Sequence, residues 1–161
     1  MPPSRRDELV EAAIAVFNRH GFHGAGIERV LAEAGISRMT LYNHFASKDD
    51  LIVAALRRHD ERFRTRLAEH VEAHSDDPIE QIMSIFDVFD AWFRAPDFAG
   101  CLFVAARAEF SADGGAICRV AAEHKAQMLA FITARCRAAG LDAPEDVAMQ
   151  LVLLLEGAVA A

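Results

Sequence analysis

A short stretch that begins at Ser37 carries side chains suited to nucleic-acid recognition. Leu41 and Phe45 are four residues apart, so on a helix they share the buried side. The residues between and before them then point outward and offer a cation, a thioether, two hydroxyls and an amide: Arg38, Met39, Thr40, Tyr42 and Asn43. Such groups suit the base edges, phosphates and thymine methyls of a major groove.

Two short helices must position this polar surface. Apolar residues at Ile27, Val30, Leu31 and Ala34 have the i, i+3, i+4, i+7 spacing of a half-buried helix. Gly35 can end that helix in the left-handed conformation, and Ser37 can cap the next one with its side-chain oxygen. Two short helices around a glycine-containing turn predict a helix-turn-helix.

A further helix start lies just beyond the polar surface. Ser47 is a suitable N-cap, and Asp50 occupies the capping-box position. Lys48 lies in the first turn, where the positive end of the helix already favours an anion. The sequence therefore predicts a phosphate contact at Lys48.

The segment Ile36–Lys48, ISRMTLYNHFASK, resembles the signature of the TetR-like bacterial transcription regulators. The resemblance is sharpest in about the first fifty residues. It implies a recognition helix that starts at Ser37, DNA contacts from Arg38, Thr40, Tyr42, Asn43 and His44, and a phosphate contact from Lys48. The chain departs from the pattern before the first helix of the motif, where Ala25 and Gly26 replace the usual threonine or serine.

Composition and charge agree with a local DNA-reading unit. The chain has 161 residues, of which 53% are apolar, and its formal net charge is −7. Residues 1–48 hold 6 Lys/Arg and 5 Asp/Glu, giving +1, whereas the remainder holds 11 and 19, giving −8. A near-neutral to positive head on an acidic body indicates that only the head touches DNA.

Cysteine content and hydropathy predict a cytoplasmic protein that does not enter a membrane. Cys101, Cys118 and Cys136 are odd in number and form no CxxC pair, which favours a reducing compartment. The longest apolar run is interrupted by Glu156 and is too short to span a bilayer.

Periodicity and capping signals predict an all-α fold: a three-helix DNA-binding domain over 1–50 and a roughly five-helix ligand-binding and dimerisation domain over 51–161. A first helix follows a disordered arm, Met1–Ser4, and the residues Arg5 and Arg6 that precede it, and it ends before Gly21. The later helices are predicted over 48–73, 78–93, 101–110 and 116–139 and from Pro144 onward, with a loop at Ser111–Gly115.

The body contains polar residues within apolar helices. We predict an effector pocket lined by Phe86, Phe89, Phe103, Arg107, Phe110, His124 and Met128. Two of these have a structural alternative, because His124 is also explained as a hydrogen-bonded core histidine and Arg107 as a partnered or snorkelling cation.

Metal and enzyme chemistry receive little support from the sequence. His70 and His74 are spaced i, i+4, but no third ligand is evident, so we predict no metal and no cofactor. Asp87, Asp90, Glu109 or His124 would have to serve an enzyme, and nothing near them supplies a nucleophile or a metal set. We therefore predict no catalytic residues.

The last helix is apolar on both sides, which predicts a second partner for it. We assign the dimer contacts to Leu151, Leu154, Leu155 and Ala158. The family resemblance implies one more helix after this one, so we expect the C-terminal end to be truncated.

Together these features predict a homodimer on a palindromic operator in double-stranded DNA, released by an unknown, mostly apolar small-molecule effector. The family resemblance implies a repressor more often than an activator. A dimeric DNA-binding module without a ligand is the alternative.

Overall fold

The computed structural model describes residues 4–110 and 115–160, and it confirms the all-α prediction. These residues form eight α-helices and no strand: α1 Arg5–His20, α2 Ile27–Ala34, α3 Arg38–His44, α4 Lys48–His74, α5 Pro78–Phe93, α6 Leu102–Glu109, α7 Ala116–Ala138 and α8 Pro144–Ala160. Predicted and observed helix ends agree to within one or two residues after α1.

Local capping residues explain why the helix boundaries could be predicted from the sequence. The Ser37 hydroxyl accepts a hydrogen bond from the Thr40 amide at 3.2 Å and starts α3. Gly35 ends α2 at φ 64°, in the left-handed region that favours glycine. Asp77 caps α5 by accepting from the Ile79 amide at 2.7 Å, and Pro78 supplies the fixed φ of a first helical residue.

The prediction for the N-terminal arm was wrong at Ser4. Ser4 caps α1 and forms a reciprocal capping box with Asp7, so Arg5 and Arg6 lie inside the first helical turn rather than before it. The Ser4 hydroxyl donates to the Asp7 carboxylate at 2.7 Å and lowers the pKa of Asp7. The predicted arm at Met1–Pro3 and the predicted loop at Ser111–Gly114 lie outside the described residues.

The first compact unit runs up to Asp60 and includes Cys101–Ala122. Its core joins apolar residues of α1, α2, α3 and the first part of α4 to those of α6 and the start of α7. Phe17, Phe22 and Phe103 are among its largest fully buried side chains. The helix-turn-helix is therefore not built on the first fifty residues alone.

The second compact unit comprises Glu61–Gly100 and Glu123–Ala161. Its core contains Leu67, Ile85 and Ile132, with contributions from α4, α5, α7 and α8. Helices α4 and α7 each run through both units. The functional division at residue 50 stays a prediction, because it concerns what the parts do rather than how they pack.

None of the helices in the described residues is long and apolar enough to cross a membrane.

Candidate nucleic-acid interface

The outward face of α3 is exposed as its helical angle predicts. Leu41 is fully buried and Phe45 is 4% exposed, whereas Met39 is 77% exposed and Tyr42 is 50% exposed. Ser37, Arg38, Asn43 and His44 are also exposed, and Thr40 is half-buried. The structure thus presents the predicted DNA-contacting side chains of this helix together on one accessible surface.

Short-range contacts hold this face in place. The hydroxyls of Ser37 and Thr40 lie 2.9 Å apart, so both are partly committed to the cap. Arg38 forms an ion pair with Glu28 of α2. Both side chains are well exposed, and such a pair contributes little to stability, so the guanidinium can exchange a carboxylate for a phosphate or a base at small cost.

The start of α4 is tied to the loop between α1 and α2. Lys48 donates from Nζ to the carbonyl oxygen of Phe22 at 2.6 Å, while Ser47 accepts from the Asp50 amide at 3.1 Å and donates to its carboxylate at 3.0 Å. An ammonium carries three donors, so this bond leaves two for a phosphate. Lys48 therefore combines a structural role with the predicted phosphate contact.

Glu109 at the end of α6 holds the same loop from the other side, a role that the sequence did not reveal. Its carboxylate accepts from the Phe22 amide at 2.9 Å, the His23 amide at 2.6 Å and the His23 Nδ1 at 2.8 Å. Burial alone would raise the pKa of Glu109, but these hydrogen bonds outweigh it and lower the pKa below its ordinary value. The one available signal was a carboxylate inside a short, largely apolar helix.

Gly21 makes the approach of Glu109 possible. Its φ of 70° and ψ of 173° lie in a region that is essentially restricted to glycine. A Cβ at this position would lie 2.9 Å from Glu109 Oε1. The loop that precedes the helix-turn-helix is thus shaped to receive this carboxylate.

The predicted effector-pocket residues fall in both compact units. In the first unit, Phe103 is 2% exposed in the core, Phe110 packs partly buried against it, and Arg107 is exposed. The exposure of Arg107 fits a snorkelling cation, and its place in an effector pocket stays a prediction.

The remaining pocket candidates lie in the second unit around a residue that we did not select. The centroid of the Phe63 ring lies 5.8 Å from the ring centroid of Phe89, 6.4 Å from that of Trp92 and 5.9 Å from that of His124. Phe89, His124 and Met128 are buried, and Phe86 is half-buried. Phe63 was visible in the sequence only as one member of the apolar stripe of α4.

The predicted dimer residues divide between the two sides of α8. Leu154 is 64% exposed and Ala158 is exposed, while Leu151 is half-buried. Leu155, at 4% exposed, packs in the core of its own chain and supports the helix from inside. Leu153 is 62% exposed and extends the outward apolar surface.

Two of the residues considered for an enzyme, Asp90 and Glu109, accept hydrogen bonds from other residues of the chain. Asp90 of α5 accepts from Nε of Arg94, the residue that follows the helix, at 2.8 Å, and Asp87 is exposed. Glu109 is occupied by the loop between α1 and α2.

Comparison with known proteins defines the class. The family model described as bacterial regulatory proteins, tetR family, matches residues 9–55. A crystal structure described as a TetR transcriptional regulator from Streptomyces avermitilis shares 33% sequence identity, with a TM-score of 0.85 over 98% of this chain and 85% of that one. The chain belongs to the TetR family of bacterial transcription regulators.

Curated relatives match over half of the chain or less. The transcriptional activator FasR of Mycolicibacterium smegmatis is 46% identical over 55 residues, 34% of this chain and 25% of the relative. The transcriptional regulator UidR of Escherichia coli is 35% identical over 82 residues, 50% of this chain and 42% of the relative. The matched part spans less than half the length of either relative.

Proposed function

We propose that the protein is a cytoplasmic repressor that binds a palindromic DNA site as a homodimer. The observation that carries the proposal is the exposed face of α3, where Arg38, Tyr42 and Asn43 stand clear of the core while Leu41 and Phe45 anchor the helix. An amide can form paired hydrogen bonds with adenine, and an arginine can do so with guanine.

The second part of the proposal is a symmetric dimer. A dimer presents two copies of α3, which reach successive major grooves when they are about 34–36 Å apart. The exposed apolar surface of α8, with Leu153, Leu154 and Met149, supplies a face for the second copy. A dimer that occupies a promoter in this way excludes other proteins from it, which is repression.

Release by a small, mostly apolar ligand is the third element. The aromatic rings around Phe63 in the second unit offer the surface that such a ligand prefers. His124, which is 6% exposed among them, gives the same region a polar atom for orientation. Such a ligand lowers DNA affinity if it prefers a conformer in which the two α3 helices are wrongly spaced for successive major grooves. The loss of DNA affinity is limited by the difference between its binding free energies for the two conformers.

Selection of bound duplexes from a random pool tests the DNA part of the proposal. We expect an enriched sequence with two inverted half-sites, and binding that weakens steeply as salt rises. Enrichment of a single asymmetric site would contradict the dimer, and absence of enrichment even in dilute buffer would contradict the recognition face.

A DNA-binding module without a ligand is the second candidate. The observation that favours it is the low exposure of Phe89 and Met128, at 8% and 6%, which fits a core closed to solvent. A thermal-shift panel of apolar metabolites separates the two, because a ligand that binds only the folded chain must raise its melting temperature. A hit that also displaces the selected duplex supports the repressor with an effector.

A further inference from the structure

Three metal-ligating side chains meet on the surface of the second compact unit. His70 and His74 lie one turn apart near the end of α4, and Asp87 lies on α5. One ligand atom from each residue lies within 4.8 Å of the others, and all three side chains are exposed. The two imidazole rings are stacked with their centroids 6.1 Å apart.

The structure supplies the ligand that the sequence lacked. Two histidines spaced i, i+4 share one face of a helix, but a pair alone binds a metal weakly. Asp87 is distant in sequence from both, so only the packing of α5 beside α4 brings its carboxylate to them. Two imidazoles and one carboxylate are a donor set that suits zinc and its neighbours, whereas magnesium and calcium prefer oxygen ligands alone.

The geometry requires only small side-chain rotations. Zinc binds histidine nitrogen and carboxylate oxygen at about 2.0–2.2 Å, so tetrahedral ligands lie roughly 3.4 Å apart. In the part of the chain that the structure describes, the side chains of His70, His74 and Asp87 form no hydrogen bond or ion pair. Drawing the three donors together therefore breaks no existing polar contact.

We propose that His70, His74 and Asp87 form a binding site for a divalent transition metal, of which zinc is the ion tested. The three side chains occupy three coordination positions, and water completes the shell. The bound ion cross-links the last turns of α4 to α5 and so stabilises the folded chain over the unfolded one.

Titration of the purified, tag-free chain with zinc, in competition with a chromogenic indicator, tests the proposal. We expect one ion per chain and a higher melting temperature in the presence of zinc but not magnesium. Asp87→Asn, His70→Gln and His74→Gln should each weaken binding by more than about tenfold, because even the loss of a residue that only supports a metal ligand costs about 10–100-fold. Circular dichroism should show that all three variants keep their helix content.

Matched controls and a spectroscopic probe make the assignment specific. Asp97→Asn and His20→Gln remove an exposed carboxylate and an exposed imidazole elsewhere and should bind zinc like the parent chain. Cobalt bound in place of zinc should show visible d–d bands without a thiolate charge-transfer band, which separates this site from Cys101, Cys118 and Cys136. An unchanged affinity in Asp87→Asn, or a thiolate band, would overturn the proposal.

Discussion

We expect Asn43 to be the residue on α3 that reads a single base pair. It is exposed, it faces away from Leu41, and its amide can donate to and accept from adenine at once. Asn43→Ala should relax preference at one position of each half-site and cost about 1–3 kcal/mol of discrimination there. Titrations on matched and singly mismatched duplexes measure this loss.

Gln127→Ala is the control for Asn43→Ala. Gln127 is an exposed amide on α7 in the second unit, so its removal should change neither affinity nor preference. If Asn43→Ala weakened all duplexes by the same factor, Asn43 would contact the backbone rather than a base, contrary to our expectation.

Glu109 makes the stability of the first unit depend on pH. Because its folded-state pKa lies below the ordinary value of 4.5, its contribution is complete at neutral pH and is lost as the pH falls through the folded-state pKa. Glu109→Gln should lower the free energy of unfolding by about 1–3 kcal/mol near neutral pH, since two amides lose a charged acceptor. Denaturant unfolding measures the difference at each pH.

The pH series separates this role from simple packing. The difference in free energy of unfolding between the parent chain and Glu109→Gln should narrow as the pH falls through the folded-state pKa of Glu109, because the parent carboxylate then becomes protonated as well. Glu123→Gln, an exposed carboxylate on α7, should follow the parent chain throughout. A gap that stayed constant with pH would argue for packing alone.

At the scale of helices, residues at or next to the helix ends determine where each helix begins and stops. Ser37, Ser47 and Asp77 are cap residues, Gly21 and Gly35 are stops, and each acts within a few residues of its own position. Such signals are local, so a sequence contains them in full. Ser4 was missed because the same capping chemistry is indistinguishable from a polar terminus when the apolar stripe begins several residues later.

Contacts between helices were not predictable in the same way. Glu109 contacts Phe22 and His23 across 87 and 86 positions of sequence, and Asp87 approaches His70 and His74 only because two helices pack together. A single sequence shows which side chains are present, but it does not show which of them are neighbours in the folded chain. The polar surface of α3 was predictable because one helix places all of it.

The loop between α1 and α2 offers a test of this long-range contact. Gly21→Ala strains a conformation that only glycine adopts readily and also pushes Glu109 away, whereas Gly35→Ala meets nothing within 4 Å. Gly35→Ala should cost about 1–2 kcal/mol, and Gly21→Ala should cost more. Chemical denaturation of both variants gives the comparison.

A double-mutant cycle identifies the source of the extra cost. When Glu109→Ala is already present, Gly21→Ala should cost less than in the parent chain, because the clash with the carboxylate is gone. Additive losses would mean that strain at Gly21 and the Glu109 contact are independent.

At the scale of the whole molecule, charge and assembly complement each other. Residues 49–161 carry a formal charge of −8 and residues 1–48 carry +1, so we expect the phosphates of DNA to repel the acidic part and to be contacted by the first part. A single head offers one short helix to the groove, which limits affinity. We expect the pairing of two chains to double the contact with DNA, and we assign that pairing to the exposed apolar surface of α8.

Leu154→Glu tests that assignment. Leu154 is 64% exposed within the chain, so the substitution should leave folding intact while it places a charge in an apolar interface. We expect a shift from dimer to monomer in sedimentation velocity and a loss of affinity for the full palindrome that is much larger than the loss for a half-site. Met83→Glu, on α5 and 58% exposed, is the matched control and should stay dimeric. Leu155→Ala should instead lower the free energy of unfolding by about 2–5 kcal/mol, because Leu155 is buried in its own core. A Leu154→Glu variant that remained a dimer with full DNA affinity would move the pairing surface away from this face of α8.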